Sequence, residues 1–303
     1  MKAHPVSPWW LTVTRFRRHP LAMLGAALLG LLALLSFSAP WIGAWLGIDA
    51  ETVNLFERFQ PPSTAHPLGT DELGRDMLLR LLHGGQVSLL VGVIGSLAAA
   101  AIGTLVGLLA GYFGGRIDTL LMRLTDAVIA LPLLPLLIVL AAIDLNKLGL
   151  PGHWVQSSWI SLYRIIAIIA LFGWTTVARL VRGATLSVRE QEFIQAAISA
   201  GAGPIWIMRV HVLPNVLSPI IIALTLSVGN IILMESVLSF LGLGIQPPLP
   251  SWGNMLSNAQ ELILSAPTLA FYPGILIFLT VMAFNFLGDG LQDALDPRAE
   301  RRL

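Results

Sequence analysis

Apolar residues in this chain gather into six long runs, roughly Leu21–Ile48, Val87–Gly111, Leu120–Ile143, Trp159–Val181, Leu217–Leu241 and Thr268–Leu287. Each approaches or exceeds the ~20 residues that a helix needs to cross a bilayer. The expected fold class is therefore an all-α polytopic membrane protein with six transmembrane helices. Ser36-Phe37-Ser38 imitates a leader-peptide cleavage site. The apolar run nevertheless continues through Trp41 and Trp45 and five more follow, which favours an uncleaved first span.

The placement of Lys and Arg orients these runs. With the N-terminus in the cytoplasm, the inside segments hold thirteen bases: Lys2, Arg15, Arg17, Arg18, Arg116, Arg123, Arg179, Arg182, Arg189, Arg209, Arg298, Arg301 and Arg302. The outside segments hold five, Arg58, Arg75, Arg80, Lys147 and Arg164, several of them among acids such as Asp71, Glu72 and Asp76. Both termini are expected inside. The chain divides into a cytoplasmic segment 1–20, a first span 21–48, an outside loop 49–86, a five-helix core 87–287 and a cytoplasmic tail 288–303. Residues 182–216 form a long inside loop within that core. Outside, Leu73, Met77, Leu78, Leu81 and Leu82 fall on one stripe. A helix over Asp71–Leu82 is expected to lie on the membrane surface or over the pathway.

Composition narrows the function classes. Of 303 residues, 55% are hydrophobic and 12% charged, with a mean hydropathy of +0.78; soluble domains carry ~25% charged residues. A net charge of +1 offers no basic excess for a nucleic-acid partner. The absence of cysteine excludes disulfides, thiolate catalysis and cysteine metal sites. Six histidines occur without HExxH or paired spacing, and none lies within an apolar run, which leaves no nucleophile–base or metal constellation for an intramembrane enzyme. A nucleotide-binding loop needs Gly-Lys-Ser/Thr so that backbone amides and the lysine hold phosphates. The only lysines follow Met1 and Asn146, so no Gly-Lys pair exists and no nucleotide cofactor is expected on this chain.

The inside loop carries the most information. Good helix formers with acids in the first turn run from Glu190 to Ala200, and Gly201 stands where a helix stops. Pro204 suits the first turn of a second helix, which Pro214 is expected to close. Phe193, Ile194, Ile198, Ile205, Trp206 and Ile207 would expose apolar area, while Ala196, Ala197, Ala200, Gly201 and Gly203 permit close approach. From the residues alone, packing under the chain's own helices and docking to another protein both remain open.

Within the spans, charges count as functional candidates. Asp126 follows Arg123 at i+3, the spacing of a local ion pair; a pathway or subunit-interface role is the alternative. Glu235, well inside the fifth run, is a candidate for the pathway or a subunit interface, or for a protonated group held by a carbonyl. Asn230 and Asn285 suit hydrogen bonds across helices, and Pro132 and Pro135 should kink the third span.

The loop resembles the Glu-Ala-Ala-x3-Gly-x9-Ile-x-Leu-Pro signature of importer-type ABC permeases. Ala196-Ala197 precede Gly201 at the signature's spacing, and Leu213-Pro214 closes it; Gln195 replaces the Glu and His211 the Ile. The ending His211-Val212-Leu213-Pro214-Asn215 is similar to the dipeptide/oligopeptide/nickel branch. So are Phe16-Arg17-Arg18-His19-Pro20-Leu21-Ala22, the stretch from His66-Pro67-Leu68-Gly69-Thr70 through Asp76, Pro250-Ser251-Trp252-Gly253, and the closing run from Gly288-Asp289-Gly290 to Asp296-Pro297-Arg298. Nearly the whole chain is covered in order. The resemblance implies a type I ABC importer permease fold and a C-type subunit beside a second, homologous permease. It also implies two cytoplasmic ATPases that bind ATP and Mg, a periplasmic or lipid-anchored binding protein, and a multi-pass place in the bacterial inner membrane. On the resemblance, Gln195, Ala196, Ala197, Gly201, Ala202, Pro204, Leu213 and Pro214 form the coupling site. The cargo is implied to be a dipeptide, an oligopeptide or another small solute such as a nickel chelate. An ion-gradient-driven secondary transporter is the alternative, but it would call for internal repeats and several midplane charges, and neither is evident.

Overall fold

The computed structural model describes residues 8–144, 147, 151–152, 157, 159–257, 262–264 and 266–295. Parts of the expected 144–158 and 242–267 loops, and the bases Lys2, Arg298, Arg301 and Arg302 used to orient the termini, lie outside the described residues. Among the described residues there are helices and one isolated bridge, Thr70 to Asp76, and no strand. In chain order the α-helices are α1 (Pro8–Arg18), α2 (Pro20–Phe37), α3 (Ala39–Leu46), α4 (Met77–Phe113), α5 (Gly115–Ala130), α6 (Leu133–Ala141), α7 (Ile160–Arg189), α8 (Glu192–Ser199), α9 (Pro204–Phe240) and α10 (Thr268–Leu295). Five of these are long and apolar enough to cross a membrane, and a sixth span results if the α5–α6 pair is counted as one.

That pair is bent by 82°. Proline cannot donate to the helical ladder and disfavours the helical conformation in the residue before it. Leu131 is accordingly extended and Pro132 caps α6, so the expected kink is a full break. The first apolar run also divides, at Ser38, where Pro40 opens the first turn of α3.

Helix α4, which equals α9 in length, packs most extensively along α7. The reason is three glycines four residues apart, Gly103, Gly107 and Gly111. A Cβ on Gly103 would stand 2.5 Å from Trp174 O, one on Gly107 2.6 Å from Ala178 O, and one on Gly111 2.6 Å from Thr185 Cβ. In lipid, helix association rests on close van der Waals approach, which such a row permits. The other face of α4 meets α9, which in turn packs on α10, and α10 holds α2.

The outside run does not form the expected surface helix over Asp71–Leu82. The Asp71 carboxylate is occupied in a turn, where Oδ1 accepts the amides of Leu73 (2.8 Å) and Arg75 (3.0 Å). Asp76 then caps the next helix through the Leu79 amide at 2.8 Å, so Met77, Leu78, Leu81 and Leu82 begin α4 itself.

Candidate functional site

Two regions at opposite ends of α9 carry the candidate residues. The first is the corner between α8 and α9. Gly201 N–H donates to Ile198 O (2.9 Å) and Ala202 N–H to Ala197 O (3.1 Å). This is the paired closure of a helix whose next residue is left-handed, and Gly201 has φ +84°. The spacing from Ala197 to Gly201 is therefore a geometric requirement: Ala197 supplies the carbonyl that the closure uses. Pro204 opens α9, as expected.

Pro214 does not close that helix. It lies inside the continuous stretch Pro204–Phe240, just after a π-helical turn, Met208–Val212. Leu213 N–H reaches back to Met208 O, five residues away. The wider turn shifts the register immediately before the proline, whose missing N–H a regular α-helix would leave as a gap.

Side chains at the corner sort into two sets. Ile194 and Ile207 are both 0% exposed and join Val177, Val181, Val212 and Val216 in a core beneath the corner. Phe193, Ile198, Ile205 and Trp206 point away from it, with Ile205 63% and Trp206 51% exposed. The ring of His211 lies 4.9 Å from Trp206 and 6.0 Å from Phe193, tying α8 to α9. Gln195, Ala196, Gly201, Pro204 and Pro214 are exposed; Ala197, Ala202 and Leu213 are half-buried.

Beneath the corner, α5 is held to α7 by two ion pairs. Arg182 grips both oxygens of Asp118, and Arg179 meets Asp126. The partner of Asp126 is thus Arg179, 53 residues away, and not the neighbouring Arg123. Helix packing brings α7 alongside, which local spacing does not report.

The second region is at the other end of α9, around Glu235. Its side chain is 0% exposed, enclosed by this chain's own residues and away from any outer face. The carboxyl accepts from Ser239 Oγ (2.7 Å) and Ser251 Oγ (2.8 Å), and Ser88 Oγ approaches at 3.5 Å. Each serine oxygen also accepts a backbone amide: Ile245 N–H to Ser239 (3.0 Å), Asn254 N–H to Ser251 (3.0 Å) and Trp252 N–H to Ser88 (3.2 Å). One carboxyl therefore organises α4, α9 and the segment 245–254 through three hydroxyls. Trp252, buried, adds its indole N–H to Leu81 O at 2.9 Å. Adjacent to it, Asp71 joins Arg75 Nε (2.8 Å) and Arg80 Nε (3.2 Å), and His66 Nδ1 meets Asp76 Oδ2 at 3.0 Å. The convergence of Ser88, Ser239 and Ser251 on one carboxyl escaped the sequence reading, because it joins positions up to 147 residues apart. Asn230 and Asn285 make no hydrogen bonds across helices among the described residues; both are exposed on their helices. No group of His, Cys, Asp and Glu among the described residues is placed to hold a metal.

Comparison with known proteins agrees with this architecture. Residues 103–301 match the model of the binding-protein-dependent transport system inner membrane component. Residues 7–62 match the N-terminal TM domain of oligopeptide transport permease C. A dipeptide transport system permease protein of Alkalihalophilus pseudofirmus is 40% identical over 293 residues, covering 97% of this chain and 91% of that protein. Glutathione transport system permease proteins of Escherichia coli O157:H7 and Pectobacterium atrosepticum are 42% and 39% identical over 293 residues, each covering 96% of this chain and 91% and 92% of their own lengths. The chain belongs to the family of binding-protein-dependent transport system inner membrane components, the multi-pass permeases of bacterial ABC transporters.

Proposed function

We propose that this chain is the C-type permease subunit of an ABC importer that carries dipeptides, oligopeptides or a related small solute across the inner membrane. The names of its relatives, dipeptide and glutathione permeases, support a peptide-like cargo. In this reading α5 and α6 form one bent span, six spans result, and both termini lie in the cytoplasm, where the thirteen-to-five split of bases puts them. A second permease completes the pathway, and a binding protein delivers cargo from outside.

The observation that carries the coupling role is the α8–α9 corner. An internally closed turn holds up Phe193, Ile198, Ile205 and Trp206, each between 43% and 63% exposed. Such a crest fits a cleft on a cytoplasmic ATPase. The engine lies on other chains, since no Gly-Lys pair is available here to hold ATP and Mg. ATP must bind the outward-facing state more tightly than the inward-facing one, and the crest transmits that difference. The π-turn Met208–Val212 joins the crest directly to the remainder of α9, Leu213–Phe240.

Purification in mild detergent should bring down a second permease and two ATPase subunits; recovery of the chain alone would contradict the reading. Ala197→Arg or Gly201→Trp should uncouple or release the ATPase while membrane insertion persists. Normal transport by both variants would remove the coupling assignment.

A further inference from the structure

A groove of 240 Å³ runs between α6, α7 and α9. Its wall carries no formal charge, and its polar groups are hydroxyls and one carboxamide. Ser227, Asn230 and Met234 face it from α9 at i, i+3 and i+7, and Gly173 and Thr176 face it from α7 at i and i+3. Leu133, from the first turn of α6 after the break, forms the remaining side.

Three observations say what fills this groove. Asn230 lies at the middle of the apolar run Leu217–Leu241 and is exposed, and its side chain makes no hydrogen bond among the described residues. An amide left to hydrocarbon costs several kcal/mol, so lipid is not its neighbour. The helix break at Leu131–Pro132 adjoins the groove, and irregular backbone at membrane depth survives only inside protein or beside water. The volume, 240 Å³, falls below the ~300–1,000 Å³ of a complete small-ligand pocket, as one wall of a site closed by another subunit would.

Resting on the permease reading above, we propose that this groove is the chain's wall of the translocation pathway, where Asn230, with Ser227 and Thr176, holds the main-chain amides of a peptide in transit. A carboxamide offers both donors and acceptors, and the Thr176 hydroxyl offers one donor and acceptor lone pairs; Ser227, whose hydroxyl donates to Ala223 O at 2.7 Å, offers acceptor lone pairs. That set matches N–H and C=O groups common to every peptide and is indifferent to side-chain charge. The absence of formal charge in the wall also avoids trapping charged cargo by desolvated ion pairing.

The chain contains no cysteine, so single-cysteine variants report on one position each. Asn230→Cys and Thr176→Cys would be compared with Leu171→Cys, which is 56% exposed on the opposite face of α7. The assembled transporter in proteoliposomes would be treated with a membrane-impermeant methanethiosulfonate reagent. Water permits the reactive thiolate and lipid suppresses it, so Asn230→Cys and Thr176→Cys should react about tenfold faster than Leu171→Cys. Dipeptide import should fall in step with the labelling. Reaction of the Asn230→Cys variant only with a membrane-permeant maleimide, or its masking by assembly with the second permease, overturns the proposal. Asn230→Asp supplies a readout that a merely structural role would not move: it should slow an anionic peptide about tenfold relative to a neutral one through like-charge repulsion, and equal slowing of both contradicts the proposal. Thiol reactivity is read without transport. A reactive groove in an assembly that lacks ATP-driven import would therefore count against the importer reading and leave the groove's wetness standing.

Discussion

The two ends of α9 solve opposite problems. At the Glu235 end, a carboxyl, three hydroxyls and three loop amides close a network with no bare polar group left among them. At the crest end, the backbone is just as firmly closed around Gly201, yet large apolar side chains stand uncovered. A buried polar network that satisfies itself holds one conformation and needs no partner. An exposed apolar crest on a fixed turn gains nothing for its own chain and much for a complex. The difference separates residues that hold this subunit together from residues that join it to others, and substitutions at the two ends should therefore fail in different ways.

The largest effect is expected at Glu235. Glu235→Ala strands three serine hydroxyls and empties their centre, and unsatisfied buried groups cost ~1–3 kcal/mol each. Thermal unfolding in detergent should show a loss of at least about 3 kcal/mol, with Glu235→Gln in between because it keeps the acceptor oxygen. An unchanged melting temperature for Glu235→Ala would break the comparison at its rigid end. Next is Asp71→Asn, which removes the charge between Arg75 and Arg80, both largely buried. Breaking one partner of a buried pair costs ~3–5 kcal/mol, and the same melting experiment would read it. The smallest effect belongs to Arg179→Ala. Its pair with Asp126 is 50% and 61% exposed, a setting worth about 0–1 kcal/mol and weakened by salt.

The apolar runs were legible because a bilayer imposes a length on each of them, and Gly201 and Pro204 were legible because backbone chemistry acts over three or four residues. Errors arose where a residue's partner is distant or its own side chain is already committed. Asp71 reads as part of an amphipathic helix until its carboxylate is seen folding the preceding turn. Pro214 reads as a stop because a register shift of one residue at Met208–Val212 leaves no trace in hydropathy. Asp126 reads as the neighbour of Arg123, and only the packing of α5 on α7 supplies Arg179. The Gly103, Gly107, Gly111 row was present in the sequence as small residues at four-residue spacing, and that row explains the most extensive helix contact among the described residues.

The central claim, that the crest belongs to a partner while the Glu235 end holds itself, is tested most directly by the double variant Ile205→Asp with Trp206→Asp. Both side chains are more than half exposed and the ring contact of Trp206 with His211 is the main one lost, so the isolated subunit should lose no more than about 1.5 kcal/mol. Affinity purification from membranes, read by the amount of ATPase retained per permease, should show the ATPase lost while the second permease stays. Full retention of the ATPase with coupled transport, or collapse of the subunit itself, would contradict the account.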